Sequence, residues 1–139
     1  MYGDGKNIRD WLYVEDHAEA IILIANKGLI GEKFCIGGNS EKTKKELIIS
    51  ICEFMDKILN RDIPSTKLIS RVPDRPGHDF RYAMDTSFIN KKLGWKPNHN
   101  FNEGLEKTIL WYLNNKTWTN NVLKKSNYNY ERIGLIEGK

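Results

Sequence analysis

The feature that most limits how this chain can fold is a helical segment, 16–27, that is apolar around most of its circumference. Acidic residues at Glu15 and Asp16 suit the start of a helix, and Gly28 suits its end. Between them lie seven apolar residues, namely Ala18, Ala20, Ile21, Ile22, Leu23, Ile24 and Ala25. Such a helix needs cover on more than one side. We therefore predict that the chain is a piece of a larger domain.

Predicted strands and helices alternate along the rest of the chain, which indicates an α/β fold. The predicted strands are short and lie at 8–14, 33–36 and 67–72, with an extended piece at 82–84. The other predicted helices begin at a capping box formed by Thr43 and Glu46, at Thr86, and behind Asn102 as a cap.

The charge balance argues against several kinds of partner. The 139 residues include 22 Lys and Arg against 18 Asp and Glu, which gives a net charge of +4 that is spread along the chain. Spread charge of this size does not indicate a nucleic-acid partner. The longest apolar run, 20–25, is far shorter than the ~20 residues that span a bilayer. No apolar signal segment begins the sequence and no Cys/His spacing suits zinc, so we predict a cytoplasmic protein without membrane or metal.

Two arginines and a histidine cluster in the segment 74–82, which reads DRPGHDFRY. The Pro-Gly pair predicts a turn between Arg75 and His78, so that both side chains face one place. A guanidinium group binds phosphate oxygens in a two-point fork, and an imidazole adds a donor. The residues alone leave two interpretations open. The segment is an anion site, or it is a structural loop held by the ion pairs Asp74/Arg75 and Asp79/Arg81.

Several other patterns carry less weight. Arg9 and Asp10, beside an aromatic strand, are interpreted as a charged pair at its edge. The sequence has no Gly-rich dinucleotide fingerprint after a strand and no phosphate-binding loop. A Tyr-xxx-Lys spacing occurs twice, but Tyr2 lies in a Gly-containing turn and Tyr112 is predicted to be core. Neither pair is predicted to be catalytic.

Two strings, IRDWLYVEDHA at 8–18 and DRPGHDFRYAMD at 74–85, resemble the C-terminal part of dTDP-glucose 4,6-dehydratases. These enzymes are extended short-chain dehydrogenase/reductases, of the Rossmann type. Further similar strings are FCIGG at 34–38, LGWKP at 93–97 and TILWYL at 108–113. The resemblance covers residues 1–123 in one register, and 124–139 form a less diagnostic tail. It implies the nucleotide-sugar-binding part of such an enzyme, without its N-terminal NAD-binding domain.

The resemblance also implies roles for individual residues. Arg9 falls on the family's arginine that contacts the nucleotide diphosphate. Arg75 and His78 fall on the arginine and histidine that bind the pyrophosphate. Tyr2 falls in the segment that lies against the thymine. The expected substrate is therefore a dTDP-sugar.

One position departs from the family pattern. The family has an asparagine that faces the substrate after the Ile-Gly-Gly strand, and Lys44 stands at that position here. Asn39 is the other candidate for this role. A lysine reaches a phosphate as a point charge rather than as an amide.

The family reaction uses NAD to remove a hydride from sugar C4, eliminates water across C5–C6 and returns the hydride to C6. The product is dTDP-4-keto-6-deoxyglucose. The groups that perform this chemistry in the family have no counterpart in this sequence, so we predict no catalytic residue, no NAD binding and no activity for the chain alone. The full-length family forms dimers, and a separate N-terminal half is a possible partner. Alternatives are part of another nucleotide-sugar epimerase or dehydratase, a stand-alone nucleotide-diphosphate-binding module, or a degenerate remnant.

Overall fold

The computed structural model of the chain describes residues 1–126. Its strands are β1 (Ile8–Asp10), β2 (Glu41–Thr43) and β3 (Arg81–Tyr82). Its helices are α1 (Val14–Lys27), α2 (Lys44–Leu59), α3 (Ser87–Leu93), α4 (Phe101–Asn114) and α5 (Lys116–Ser126), with a 3-10 helix at Ser65–Leu68. The predicted α/β class is confirmed.

The three strands form one small mixed sheet, in the order β2–β1–β3. β1 is antiparallel to β2, with Ile8 opposite Thr43, and parallel to β3, with Ile8 opposite Arg81. The N–H of Ile8 donates to the carbonyl of Phe80 at 2.7 Å. β1 is shorter than the predicted strand at 8–14, because residues 11–13 form an irregular connection and α1 begins at Val14.

The core lies between α1 and the region around α3. Ala20 and Ile89 are 0% exposed, and Trp95 completes the cluster. On the other face of α1, Ile21 and Ile22 are 51% and 60% exposed. Such exposure is what a helix that is apolar around most of its circumference shows when only one side is covered.

The predicted capping box at the start of α2 is confirmed. The N–H of Glu46 donates to Thr43 Oγ1 at 3.1 Å, and the N–H of Thr43 donates to a Glu46 carboxylate oxygen at 2.7 Å. The helix ends at Leu59, and Asn60 takes a left-handed conformation with φ 47°.

The strand predicted at 33–36 is wrong, because this stretch has no ladder of strand hydrogen bonds. Phe34 and Ile36 instead pack against the core from irregular backbone. The short apolar run that suggested a strand therefore reflects burial of side chains rather than pairing of the backbone.

The strand predicted at 67–72 is also wrong. The N–H of Ser65 donates to the Asp56 carboxylate of α2 at 2.9 Å, and the chain then forms the 3-10 helix. Further along, Val72 pairs with Tyr2 in an isolated parallel bridge. This bridge ties the start of the chain to the loop that precedes β3.

The start of α4 differs by two residues from the prediction. Asn100, not Asn102, caps the helix: its side-chain oxygen accepts the N–H of Glu103 at 3.1 Å. The Glu103 carboxylate accepts the N–H of Asn100 in return, at 2.9 Å. The predicted end of α3 is confirmed, since Gly94 has φ 72° and its N–H donates to the carbonyl of Asn90.

The chain divides into two compact units, Met1–Ile109 and Leu110–Lys139. In the second unit, Trp111 meets Tyr112 and Trp118 edge-on, with ring centroids 5.1 Å apart in both pairs. Tyr112 is 53% exposed, so the prediction that it belongs to a core is wrong. Of the predicted tail, residues 127–139 lie outside the described residues. Within 1–126, no helix combines the length and apolar character needed to cross a bilayer.

Candidate anion-binding site

The sheet brings together the three parts of the first unit that hold the predicted site residues. β1 carries Arg9, α2 begins at Lys44, and the loop before β3 carries Arg75 and His78. Lys44 follows β2 directly, and its N–H donates to the carbonyl of Asn7 at 3.0 Å. The first turn of α2 is thereby held beside the start of β1.

A chain of hydrogen bonds links Lys44, His78 and Asp74. Lys44 Nζ lies 2.7 Å from His78 Nε2, and His78 Nδ1 lies 2.6 Å from Asp74 Oδ1. Because an ammonium group only donates, Nε2 accepts from Lys44 and Nδ1–H donates to Asp74. The imidazole is therefore neutral in this arrangement. Its side chain is 2% exposed, whereas that of Asp74 is 41% exposed.

Partial burial and two nearby arginines act on the Lys44 ammonium group. Partial burial lowers the pKa of Lys44, the charges of Arg9 and Arg75 lower it further, and only Asp74 among these influences raises it. Lys44 Nζ also lies 5.7 Å from the ring centroid of Tyr2, in cation–π geometry. The hydrogen bond from His78 lowers the pKa of the Asp74 carboxyl group.

The Arg9 guanidinium group is fixed by backbone carbonyls. It donates to Ile8 O at 2.6 Å and to Asp79 O at 3.0 Å. The predicted charged pair with Asp10 is wrong, because the Asp10 carboxylate instead accepts the N–H groups of Gly38 and Ser40, at 2.8 and 2.7 Å. Arg9 is thus positioned by the loop that ends at Asp79.

Of the six predicted site residues, five interact with one another by contact or through their charges, and one lies elsewhere. Tyr2 and His78 contact Lys44, and the charges of Arg9 and Arg75 act on it. Asn39 belongs to a different part of the unit, where its side-chain N–H donates to Thr86 Oγ1 at 2.9 Å. Its side chain is therefore engaged in the fold, and Lys44 is the better candidate for the position.

The ion pairs of the structural-loop interpretation do not form as predicted. Asp74 pairs with His78, and Arg81 pairs through two 2.6 Å hydrogen bonds with Glu41 of β2. The role of Asp74 was missed in the sequence analysis. The signal was present, because Asp74 and His78 are four residues apart across a Pro-Gly turn, which lets their side chains meet.

A separate groove of about 430 Å³ runs along α2 and the 3-10 helix. Apolar side chains such as Ile51, Met55 and Leu68 dominate its lining. Burial raises the pKa of the Cys52 thiol in this groove, which leaves the thiol protonated. An anion finds less charge here than at Lys44, so the candidate site is the charged cluster. Among the described residues, no group of three or more His, Cys, Asp and Glu is arranged to hold a metal ion.

The chain matches known proteins along most of its length. A family model described as GDP-mannose 4,6 dehydratase matches residues 1–108. The dTDP-glucose 4,6-dehydratase of Escherichia coli is 47% identical over 142 residues, covering 99% of this chain and 39% of that protein. The crystal structure of the Bacillus anthracis dTDP-glucose 4,6-dehydratase, in complex with NAD, matches with a TM-score of 0.72 and 41% identity, over 85% of this chain and 35% of that one.

A second solved structure agrees with the first. DesIV, a dTDP-glucose 4,6-dehydratase from Streptomyces venezuelae with NAD and a further ligand bound, has a TM-score of 0.71 and 38% identity. The match covers 84% of this chain and 34% of DesIV. The chain thus spans well under half the length of these relatives. The predicted similarity to dTDP-glucose 4,6-dehydratases and the predicted partial fold of an extended short-chain dehydrogenase/reductase are confirmed. This chain belongs to the GDP-mannose 4,6 dehydratase family and is related to the dTDP-glucose 4,6-dehydratases.

Proposed function

We propose that the cluster around Lys44 binds the diphosphate of a dTDP-sugar, as the substrate-binding part of a dTDP-glucose 4,6-dehydratase. The observation that carries this proposal is the 2.7 Å contact between Lys44 Nζ and His78 Nε2, at a place where the positive charges of Arg9 and Arg75 also act on the ammonium group. Three cations against the one carboxylate of Asp74 leave two positive charges, with His78 neutral. The diphosphate bridge of a nucleotide-sugar carries two negative charges and would balance them.

Each residue has a distinct part in this proposal. Arg75 supplies a planar two-bond fork, and Lys44 supplies a point charge. Arg9 is held by two backbone carbonyls, which reduces the entropy lost when it binds. Both ring nitrogens of His78 are engaged in the structure, so His78 positions Lys44 rather than contacting the phosphates. Tyr2 lies beside Lys44, and its aromatic ring would pack against the thymine of the nucleotide.

Without an anion, the positive charges of Arg9, Arg75 and Lys44 destabilise one another, because like charges repel and the partly buried ammonium group has lost hydration. A bound diphosphate removes the repulsion, and each charge-assisted hydrogen bond contributes about 1.5–3 kcal/mol. This difference between the free and bound states favours binding of a dianion over binding of an uncharged nucleoside.

The two relatives of known structure contain NAD, but the residues described here do not fit a dinucleotide. The connection from β1 to α1 is Trp11-Leu12-Tyr13, whose bulky side chains prevent the close backbone approach that glycines allow. Glu15 and Asp16 in the first turn of α1 also repel a pyrophosphate at that helix start. We therefore assign these residues binding of the substrate and no part in the hydride and proton transfers of the dehydratase reaction. Dehydratase activity, and the dimer expected from the family, would require the part of the relatives' length that this chain does not match.

Titration calorimetry of the 139-residue chain with dTDP-glucose tests the proposal. We expect Arg75→Ala to weaken binding by about 10- to 100-fold, which corresponds to about 1.4–2.8 kcal/mol. Arg75→Lys should recover part of this loss, because it restores the charge without the fork. Lys45→Ala is the matched control, since Lys45 is exposed and adjacent to Lys44 in the sequence. Equal affinity of Arg75→Ala and the parent chain would refute the proposed site, as would equal affinity for thymidine and dTDP.

A further inference from the structure

The hydrogen-bonded chain at Lys44 has the arrangement of an activated nucleophile. In such sites, the nucleophile contacts a general base, and a third group orients the base. Here the nucleophile is Lys44 Nζ, the base is His78 Nε2 at 2.7 Å, and the orienting group is Asp74 Oδ1 at 2.6 Å from Nδ1. The imidazole is buried, so it stays in this tautomer and orientation, whereas Lys44 itself is only partly buried.

The surroundings of Lys44 increase the fraction of its reactive, uncharged amine. Desolvation and the neighbouring charges of Arg9 and Arg75 lower the pKa of Lys44, and these effects are opposed by Asp74. A lysine becomes nucleophilic when burial or adjacent cations lower its pKa in this way. The other charged or titratable groups facing it are His78, which accepts its proton, and Tyr2, whose ring lies 5.7 Å away.

We propose that Lys44 is an acylation site whose amine attacks the carbonyl carbon of acyl phosphates. Lys44 first gives one proton to His78 Nε2, which frees the lone pair on Nζ. A bond forms between Nζ and the carbonyl carbon, and the bond from that carbon to the phosphate oxygen breaks. Inorganic phosphate leaves with the electron pair, and the second proton of Nζ passes to solvent. The products are an amide and phosphate, and nothing is oxidised or reduced.

The same cations that lower the pKa of Lys44 suit this class of electrophile. The charges of Arg9 and Arg75 act on Lys44, and guanidinium groups bind phosphate oxygens, so an electrophile that carries a phosphate is attracted to this amine. The phosphate would remain bound to the guanidinium groups as it becomes the leaving group. An electrophile without an anionic group lacks this contribution.

Acylation would also regulate the site. It removes the charge of Lys44 and fills the space beside His78 with an acyl group. This consequence rests on the proposed function, because it matters only if the cluster binds a diphosphate. The acylation itself does not depend on nucleotide binding.

The chain contains a useful internal comparison. Lys107 Nζ lies 2.7 Å from His99 Nε2, and His99 Nδ1 lies 2.8 Å from Asp16 Oδ1. This second cluster has the same three residue types in the same order, but the pKa of Lys44 is lowered by two guanidinium groups as well. Lys45, exposed and next to Lys44, serves as an ordinary lysine.

The test is to treat the 139-residue chain with acetyl phosphate and to measure acetylation at each lysine over time by peptide mass spectrometry. We expect Lys44 to react at least about 10-fold faster than Lys45, with Lys107 between them. His78→Gln should reduce the rate at Lys44 towards that at Lys45, because glutamine cannot take the proton. Circular dichroism of each variant establishes that it is folded. Arg75→Ala, at an exposed position, gives a second variant that does not touch the buried imidazole.

An uncharged reagent, acetyl N-hydroxysuccinimide, separates the two contributions. Arg75→Ala should slow the reaction of Lys44 with acetyl phosphate more than its reaction with this reagent. Equal rates at Lys44 and Lys45 with both reagents would overturn the proposal, and so would an unchanged rate at Lys44 in His78→Gln. Fast acetylation of Lys44 without binding of dTDP-glucose would refute the proposed function alone, and binding without fast acetylation would refute this proposal alone.

Discussion

The exposed face of α1 should make the isolated chain self-associate, and two substitutions on that face should reverse the association. Ile21 and Ile22 are 51% and 60% exposed, and Val14 at the start of the helix is 68% exposed. Beyond the end of the helix, Leu29 and Ile30 are 63% and 107% exposed. All five leave half or more of their accessible surface in water.

The magnitude follows from these exposures. Full burial of a Val, Leu or Ile side chain contributes about 1.5–3 kcal/mol of hydrophobic stabilisation. A half-exposed side chain therefore lacks about 1 kcal/mol of it, and five such side chains together lack about 5 kcal/mol. A symmetric dimer would recover about twice that amount, from which the loss of translational and rotational freedom subtracts about 4–15 kcal/mol. With the smallest of these costs about 6 kcal/mol remains, so we expect weak association that grows with concentration between about 10 μM and 1 mM.

Sedimentation velocity over this concentration range measures the effect. The double variant Ile21→Lys, Ile22→Lys should remain monomeric while keeping its helical circular dichroism, since both side chains already face water. The control with the same added charge is Ile63→Lys, Leu68→Lys, at positions 67% and 75% exposed and outside α1. This control should associate as the parent chain does.

Two results would contradict this prediction. One is a parent chain that stays monomeric across the whole range and unfolds in a single sharp transition in urea. The other is an equal reduction of association by both double variants, which would trace the effect to net charge rather than to the face of α1.

Two further predictions concern stability. A Cβ atom at Gly38 would lie 1.9 Å from the carbonyl oxygen of Trp11, so Gly38→Ala should displace the backbone and weaken its 2.8 Å hydrogen bond to Asp10. We expect Gly38→Ala to lower the free energy of unfolding in urea by at least about 2 kcal/mol. The control is Gly77→Ala, where φ is 65° but the space around the residue is open, and it should cost about 1–2 kcal/mol. A loss for Gly38→Ala no larger than that of the control would contradict this prediction. The second concerns pH. The hydrogen bond from His78 lowers the pKa of the Asp74 carboxyl group below its usual 3.8. The contribution of Asp74 to stability is therefore fully present above pH 3.8 and is lost as the pH falls through the lower folded-state value. Asp74→Asn should flatten this acid limb of the pH–stability curve, and an unchanged limb would show that the pair contributes nothing.

Local features were predictable from the sequence because they depend on residues close together along the chain. The capping box of Thr43 and Glu46 spans one helical turn, and the end of α3 depends on a left-handed conformation at Gly94. The turn between Arg75 and His78 likewise follows from a Pro-Gly pair, with Gly77 at φ 65°.

The two wrong strands illustrate where local patterns stop being informative. A short apolar run at 33–36 has the composition of a strand, but Phe34 and Ile36 are used for packing on the core. At 65–68, the Asp56 carboxylate of α2 binds Ser65 and favours a 3-10 helix. In both places a contact with another element outweighs the intrinsic preference of the segment.

The residue types available for an anion site could be read from the linear sequence, because the family motifs carry Arg9, Arg75 and His78. How these residues are used depends on the folded arrangement. Lys44 and His78 are 34 residues apart, and the contact between them depends on the pairing of β1 with β2 and β3. That contact makes the imidazole an acceptor rather than a cation, since its other nitrogen already donates to Asp74. Protonation and hydrogen-bond direction are set by the groups that folding brings within about 3 Å, and the linear order of residues does not specify those neighbours.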